Sequence, residues 1–303
     1  MHIAVTGGTG FIGSKVTESL IKQGHHIYVL TRSPDKHENT EQITYVGWLK
    51  ETYKPETELP NLDAIINLAG DSLFGYWTET KKQRIIDSRI QATENAVALI
   101  EKLDQKPSVF INASAIGFYG TSDTETFTEN TTTPGNDFLA EVTSQWEQTA
   151  KKANELGVRT VFTRFGIVLG KEGALPMMAL PFKMFAGGKV GTGEQWMSWV
   201  HVDDVVEMIK FSLHHSNVEG ALNVTAPNPV RNKAFSKTLA RVLGRPYWLP
   251  APAFAMKTIL GEMSLLVLEG QCVKPNKATE SGYTFLYPEL TEALREIYLQ
   301  KTH

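Results

Sequence analysis

The chain opens with MHIAVTGGTGFIGSKVTESLIKQG, residues 1–24, and the glycine cluster at its centre decides the fold. A short apolar run, Ile3 to Val5, reads as a buried strand. TGGTGFIG, residues 6–13, follows at once and satisfies GxGxxG through Gly8, Gly10 and Gly13, and the wider GxxGxxG through Gly7, Gly10 and Gly13. Glycines there let the backbone turn sharply and approach a pyrophosphate, whose charge meets the N–H groups at a helix N-terminus. Ile12, Val16 and Leu20 recur every four residues and share one helical face, and Gly24 stands where that helix would end. An ordinary tight turn also uses glycines, but a strand before the cluster and a periodic helix starting inside it favour a nucleotide site.

The same alternation continues outward through two thirds of the chain. IYVLT, ITYV, AIINLAG, VFINAS and RTVFT read as strands, separated by helical patterns that include a long one from about Thr78. Such alternation predicts an α/β fold, a Rossmann-type doubly wound parallel sheet covered by helices on both faces. Beyond Gly166 the pattern becomes irregular, and a smaller C-terminal substrate lobe is expected there. The polar stretch from Thr121 to Asp137 reads as a loop at the carboxyl end of a strand, where α/β proteins bind ligands.

Composition narrows the function classes. Of 303 residues, 42% are hydrophobic and 21% charged, as in a folded globular protein, and the net charge of −3 argues against a nucleic-acid binder. The single cysteine, Cys272, excludes an intramolecular disulfide and fits a reducing, cytoplasmic setting. The apolar segment from Phe254 to Gly270 is interrupted by Lys257 and Glu262, which reads as a core or amphipathic helix and not a membrane span.

The second strand ends in Thr31 and Arg32, where NAD-binding proteins place an acid for the adenosine ribose. A guanidinium offers a fixed fork of donors, so Arg32 predicts the 2′-phosphate of NADP, and the expected cofactor is NADP(H). Leu68, Ala69 and Gly70 end another strand beside the glycine turn, with small residues that allow a dinucleotide to pass. Arg84 and Arg89, on the long helix, can each reach a phosphate or serve as surface charges.

TGGTGFIG, INLAG at Ile66 to Gly70 and a serine-bearing central strand resemble the extended branch of the short-chain dehydrogenase/reductase superfamily. DSRIQAT from Asp87, FLAEVTSQWE from Phe138, RFGIVLG from Arg164, WMSWVHVDD from Trp196 and the run from Leu268 resemble, more narrowly, the SDR39U1-type epimerase family. The resemblance covers nearly the whole chain. It implies an epimerase-type dinucleotide domain over residues 1–225 and a family C-terminal domain over residues 248–297. It also implies cofactor contacts at Gly7, Gly10, Phe11, Ile12, Thr31, Arg32, Leu68, Ala69, Arg89 and around Ile167, with Gly13 completing the turn.

In that superfamily a serine at the end of the central strand orients the substrate, and a YxxxK pair moves the proton. NASAIGFYG, residues 112–120, offers Ser114 and Tyr119, but the YxxxK position is occupied by Phe138 to Val142, and neither phenyl nor isopropyl transfers protons. Tyr119 is therefore the first candidate for proton transfer, or else an aromatic that packs; Glu141, Lys171 and His201 follow. His201 in HVDD reads as a pocket residue, Asp204 with Glu207 as a capping box, and no metal site is expected. Trp196 and Trp199 are either core or the apolar wall of a substrate pocket.

The expected function is an NADP(H)-dependent oxidoreductase or epimerase-like enzyme acting on a small polar metabolite, with nucleotide sugars as the class the family name points to. The alternative is an NADP(H)-binding sensor or interaction protein that has lost Tyr/Lys catalysis. Neither reading involves nucleic acid or membrane.

Overall fold

The structure, a computed structural model, describes residues 1–299. Seven parallel strands form the main sheet. Its first five in chain order are β1 (His2–Thr6), β2 (His26–Thr31), β3 (Ile43–Gly47), β4 (Ala64–Asn67) and β5 (Val109–Ala115). Strands Arg159–Phe165 and Gly220–Val224 complete it, and the order across the sheet is Gly220–Val224, Arg159–Phe165, β5, β4, β1, β2, β3. Chain direction across the sheet reverses between β1 and β4, which opens a crevice at their carboxyl ends.

Alternation along each strand builds two cores. Ile3, Val5, Ile66, Ile111 and Val161 face helix α1 (Phe11–Lys22) and the helix Val202–His214. Ala4, Ile65, Phe110 and Phe162 face the helices Glu79–Lys102 and Phe138–Glu155. The long helix foreseen near Thr78 starts at Glu79, with the Thr78 hydroxyl accepting from the Lys81 amide at 3.2 Å. Burying both faces of the strands is what their near-continuous apolar runs require.

A third core lies outside the sheet, where helices Ala174–Lys183, Asn232–Leu243 and Leu290–Leu299 close over Leu169, Met197 and Trp199. The segment from Phe254 is a broken helix: Ala253–Leu260 stops at Gly261, whose φ of +57° a side chain would strain, and a short helical turn leads into Leu265–Leu268. Among the described residues no helix is long and apolar enough to cross a membrane.

The capping-box reading of Asp204 is corrected. The helix begins two residues earlier, at Val202, and the His201 imidazole caps it by accepting from the Asp203 amide through Nδ1 at 3.1 Å. Asp204 is wholly buried and instead clamps a distant segment, accepting from the amides of Leu286 at 2.8 Å and Tyr287 at 2.9 Å and from the Tyr283 hydroxyl at 2.9 Å. Burial raises its carboxyl above the usual range, with these three donors opposing. Asp204→Ala strands buried donors and is expected to cost about 3 kcal/mol, measured by denaturant unfolding. A loss under about 0.5 kcal/mol, the size of an ordinary surface change, would reject the clamp.

Candidate functional site

The glycine turn is built by backbone contact. Gly7 has φ +64°, and a Cβ there would lie 2.7 Å from the Leu68 carbonyl oxygen; at Gly13 it would lie 2.1 Å from the Gly7 carbonyl oxygen. Gly10 has nothing closer than that same oxygen, at 3.3 Å, and is exposed. It forms the N-cap of α1 without any side-chain cap, so the first N–H groups of the helix face the crevice.

Across the switch point, Thr6 Oγ1 donates to Asn67 Oδ1 at 2.5 Å and accepts from the amides of Leu68 and Ala69 at 3.2 Å each. Asn67 in turn donates to Asn112 Oδ1 at 2.6 Å and Thr93 Oγ1 at 3.0 Å, and the Trp146 indole donates to Thr93 at 2.8 Å. This buried ladder holds the Leu68–Gly70 turn beside the glycines. Phe11 lies on the other flank, with its ring against Gly170 and Gly173 beyond the strand Ile167–Leu169. Ile12 turns inward onto the first core.

The arginines separate by environment. Arg32 is exposed at the end of β2, next to Thr31, whose hydroxyl accepts from the Ser33 amide at 3.3 Å. Arg84 is spent on Asp71, at 2.6 Å, beside Lys81 on the same carboxylate at 3.1 Å. Arg89 packs against Gly70, with its guanidinium 5.3 Å from the Trp146 ring centre and one nitrogen donating to the Ile85 carbonyl at 3.0 Å. Burial pulls it down to about 10, opposed by the Asp71 charge. A half-buried guanidinium bonded to no carboxylate among the described residues, beside the turn where a dinucleotide would run, fits a phosphate.

Ser114 and Tyr119 do come together, but inside the protein. Ser114 pairs with Arg164 across the sheet and donates its hydroxyl to Glu147 Oε1 at 2.6 Å. Arg164 grips both oxygens of Glu147 at 2.7 Å and donates to the Tyr119 hydroxyl at 2.9 Å; Tyr119 donates to Asn223 Oδ1 at 2.7 Å. All five side chains are buried, and the guanidinium lies 3.5 Å from the Phe118 ring centre. Burial alone would lower the Arg164 value, yet the Glu147 bonds outweigh it and hold the guanidinium above its ordinary range. Burial raises the Tyr119 phenol, which makes it a weaker acid. Every hydrogen bond these two hydroxyls make is internal, which for Tyr119 is the packing alternative, and both serve the network in this arrangement.

The three residues expected near a pocket lie in different surroundings, and Trp199 takes the core alternative. Trp199 is wholly buried in the third core, its indole donating to the Asn228 carbonyl at 3.1 Å. His201 is equally buried and joined to Glu296 at 2.9 Å. Trp196 alone is half-buried, with the Arg231 guanidinium 3.8 Å from its ring centre. His201, Asp203 and Glu296 form a candidate ligand group, but the histidine spends Nδ1 on the Asp203 amide and Nε2 on Glu296. Sequence reading missed Glu147, Arg164 and Asn223 as partners; the one signal was a charged residue inside the apolar strand TVFTRF.

A backbone-tight glycine turn at a sheet's switch point, facing a free helix N-terminus, defines a dinucleotide-binding α/β protein. Residues 3–225 match the NAD dependent epimerase/dehydratase family, and residues 251–297 match a domain of unknown function (DUF1731). The chain is 50% identical over 297 residues to epimerase family protein YfhF of Bacillus subtilis, covering 98% of each. It is 44% identical over 304 residues to the chloroplastic SDR39U1 homolog of Arabidopsis thaliana, covering 98% of this chain and 86% of that one. Human epimerase family protein SDR39U1 (isoform 2), solved with NADPH, superposes with a TM-score of 0.85 at 31% identity, covering 98% of this chain and 99% of that one. A UDP-glucuronic acid 4-epimerase from Bacillus cereus, solved with UDP-glucuronic acid and NAD, shares the fold at 16% identity and a TM-score of 0.78, covering 98% of each chain. The chain belongs to the NAD dependent epimerase/dehydratase family, in its SDR39U1-type branch.

Ser114→Ala removes one donor from a network that keeps its bidentate ion pair and is expected to cost about 1 kcal/mol, with NADPH binding unchanged. Glu147→Ala leaves Arg164 buried without a counter-charge and is expected to cost about 3–5 kcal/mol. Paired unfolding curves and cofactor titrations check this, and equal losses from the two changes would reject the network.

Proposed function

We propose that this chain binds NADP(H) and catalyses an epimerase-like or oxidoreductase reaction on a small molecule in a cytoplasmic setting. The observation that carries the reading is the pairing of the uncapped α1 N-terminus with the exposed Arg32 at the end of β2. The first suits a pyrophosphate. The second suits a 2′-phosphate on the adenosine ribose.

The residues present fit that cofactor. Gly7 and Gly13 let the turn close backbone to backbone, Gly10 is exposed at the helix start where a side chain would stand in a pyrophosphate's way, Leu68 to Gly70 form the opposite wall, and Arg89 lies beside Gly70. Bound NADP(H) would supply the redox chemistry; the chain's own residues bind and orient it, while Phe11 and Ile167 close the flank. The NADPH of the human relative supports the choice of cofactor. A small polar metabolite, or a nucleotide sugar, is carried only by the family name.

A second reading, an NADP(H)-binding sensor without turnover, is favoured by the internal hydrogen bonds of Ser114 and Tyr119. A metabolite screen with bound NADPH separates the two: saturable oxidation of the nicotinamide supports the enzyme, and tight binding without any redox change supports the sensor. For the cofactor itself, Arg32→Ala is expected to weaken NADPH by about 1.5–3 kcal/mol and to leave NADH nearly unchanged, read by nicotinamide fluorescence titration. Equal weakening of both would show that Arg32 does not meet the 2′-phosphate.

A further inference from the structure

Two stretches of the outer lobe carry apolar side chains that no core takes up. In helix Ala174–Lys183, Leu175, Ala179 and Phe182 are buried, whereas Met177, Leu180 and, just past its end, Met184 recur at three- and four-residue steps and stand exposed. Phe185 continues them, 56% exposed. The second stretch runs from Arg245 to Phe254 and includes Tyr247, Trp248 at 65% exposed, Leu249, and Phe254 at 74%. It leads into helix Ala253–Leu260, in which no residue is fully buried although Phe254, Met256, Ile259 and Leu260 are apolar.

Backbone bonds join the two stretches edge to edge. The amides of Trp248 and Leu249 donate to the Gly187 carbonyl at 3.0 and 3.1 Å, the Ala251 amide to the Lys189 carbonyl at 2.8 Å, and the Gly191 amide to the Ala251 carbonyl at 2.8 Å. The Trp248 indole donates to the Phe185 carbonyl at 2.8 Å, and the Arg245 guanidinium lies 4.6 Å from the Phe185 ring centre. Single exposed apolar residues are ordinary, but a joined set of this size marks a contact surface. Its charges point to what is contacted. Residues 174–189 and 244–261 hold Lys183, Lys189, Arg245 and Lys257 and no aspartate or glutamate, in a chain whose net charge is −3.

We propose that this face seats the protein on a bilayer surface bearing anionic headgroups, with the aromatic and aliphatic side chains at the headgroup boundary and the four cations among the headgroups. An apolar face that holds Trp and Phe and is edged by Lys and Arg suits that interface, where a protein lies on the membrane without crossing it. The proposal goes beyond the function above and departs from the expectation that no membrane is involved. Charge also separates a bilayer from a second copy of the chain: two such faces pressed together would oppose their cations, with no carboxylate from either stretch between them.

The test is co-sedimentation of the full chain with vesicles of equal parts phosphatidylglycerol and phosphatidylcholine, against vesicles of phosphatidylcholine alone. Binding to the first, little binding to the second, and release by high salt are expected. Phe254→Asp is expected to weaken binding roughly tenfold or more, since an apolar ring gives way to a negative charge, and Lys257→Gln about fivefold. Both positions are exposed and an acid suits the first turn of a helix, so the fold is kept, which circular dichroism verifies. Lys257→Gln carries the test by itself if Phe254→Asp loses the parent's spectrum. The proposal is overturned if the anionic vesicles bind no protein, if both kinds of vesicle bind it equally, or if neither substitution changes binding. A dimer in sedimentation velocity without lipid, dissociated by Phe254→Asp, would also overturn it and assign the face to a second copy.

Discussion

No side chain fits between the first turn of α1 and the turn that precedes it. The Gly13 α-carbon is so close to the Gly7 carbonyl that one added methyl would overlap it, and Gly7 itself is pressed against the Leu68 carbonyl. This contact brings the helix N-terminus down onto the switch point between β1 and β4, with nothing interposed. Everything proposed to meet a dinucleotide is placed relative to that point: Arg32 one strand away on one side, Leu68 to Gly70 and Arg89 on the other. The Thr6–Asn67–Asn112 ladder supports it from below by filling the strand ends with mutually satisfied polar groups. Satisfied networks of this kind are rigid, whereas the same groups left half-paired would be costly.

The second organising interaction is the Glu147–Arg164 ion pair. A buried pair is costly to desolvate, and this one is accommodated by bidentate geometry, by Ser114 and Tyr119 as extra partners, and by the Phe118 ring beneath the guanidinium. The hydroxyls of Ser114 and Tyr119, both expected at the substrate, here take part in holding β5 to its neighbours. With them occupied and with Phe138 and Val142 in place of a proton-carrying pair, the helix beside the site presents an apolar surface.

Much of the fold was legible because it depends on period. Strands buried on both faces, a helix with apolar residues every four, and a glycine turn between them leave few alternatives, and the long helix begins where it was foreseen, just after Thr78. Side-chain direction was far less legible. In a strand, one residue of register exchanges one face for the other, so Ser114 could be located at a strand end while the partner of its hydroxyl, Glu147, could not be read. The surroundings of Trp199, His201 and Asp204 were hidden for a related reason. Their partners Asn228, Glu296 and the amides of Leu286 and Tyr287 lie far along the chain, and no local pattern announces such pairings. Arg164 was the exception that could have been caught, since a charge within an otherwise apolar buried strand demands a partner.

The same long-range contacts bear on how the two matched regions act together. Residues Cys272–Val273 pair with Thr126–Phe127, in the loop that follows the central strand. Gln271 donates to the Ile116 carbonyl at 2.9 Å, on the turn that ends β5, and Ser198 bonds both the Gln271 carbonyl and the Val273 amide. Glu129 accepts from the amides of Asn223 and Lys277, joining the last strand of the sheet to the C-terminal region. These are backbone-directed bonds at half-buried or buried positions, where an unmet donor or acceptor is expensive. The turn that carries Tyr119 is therefore bonded directly to the C-terminal region. Met263 and Leu260 from that same region lie on Phe138 and Val142. A dinucleotide fold lacking residues 251–297 would lose the packing of Leu260 and Met263 beside Phe138 and Val142 and the bonds to Ile116 and Glu129, so the C-terminal region is built into the fold and not appended to it.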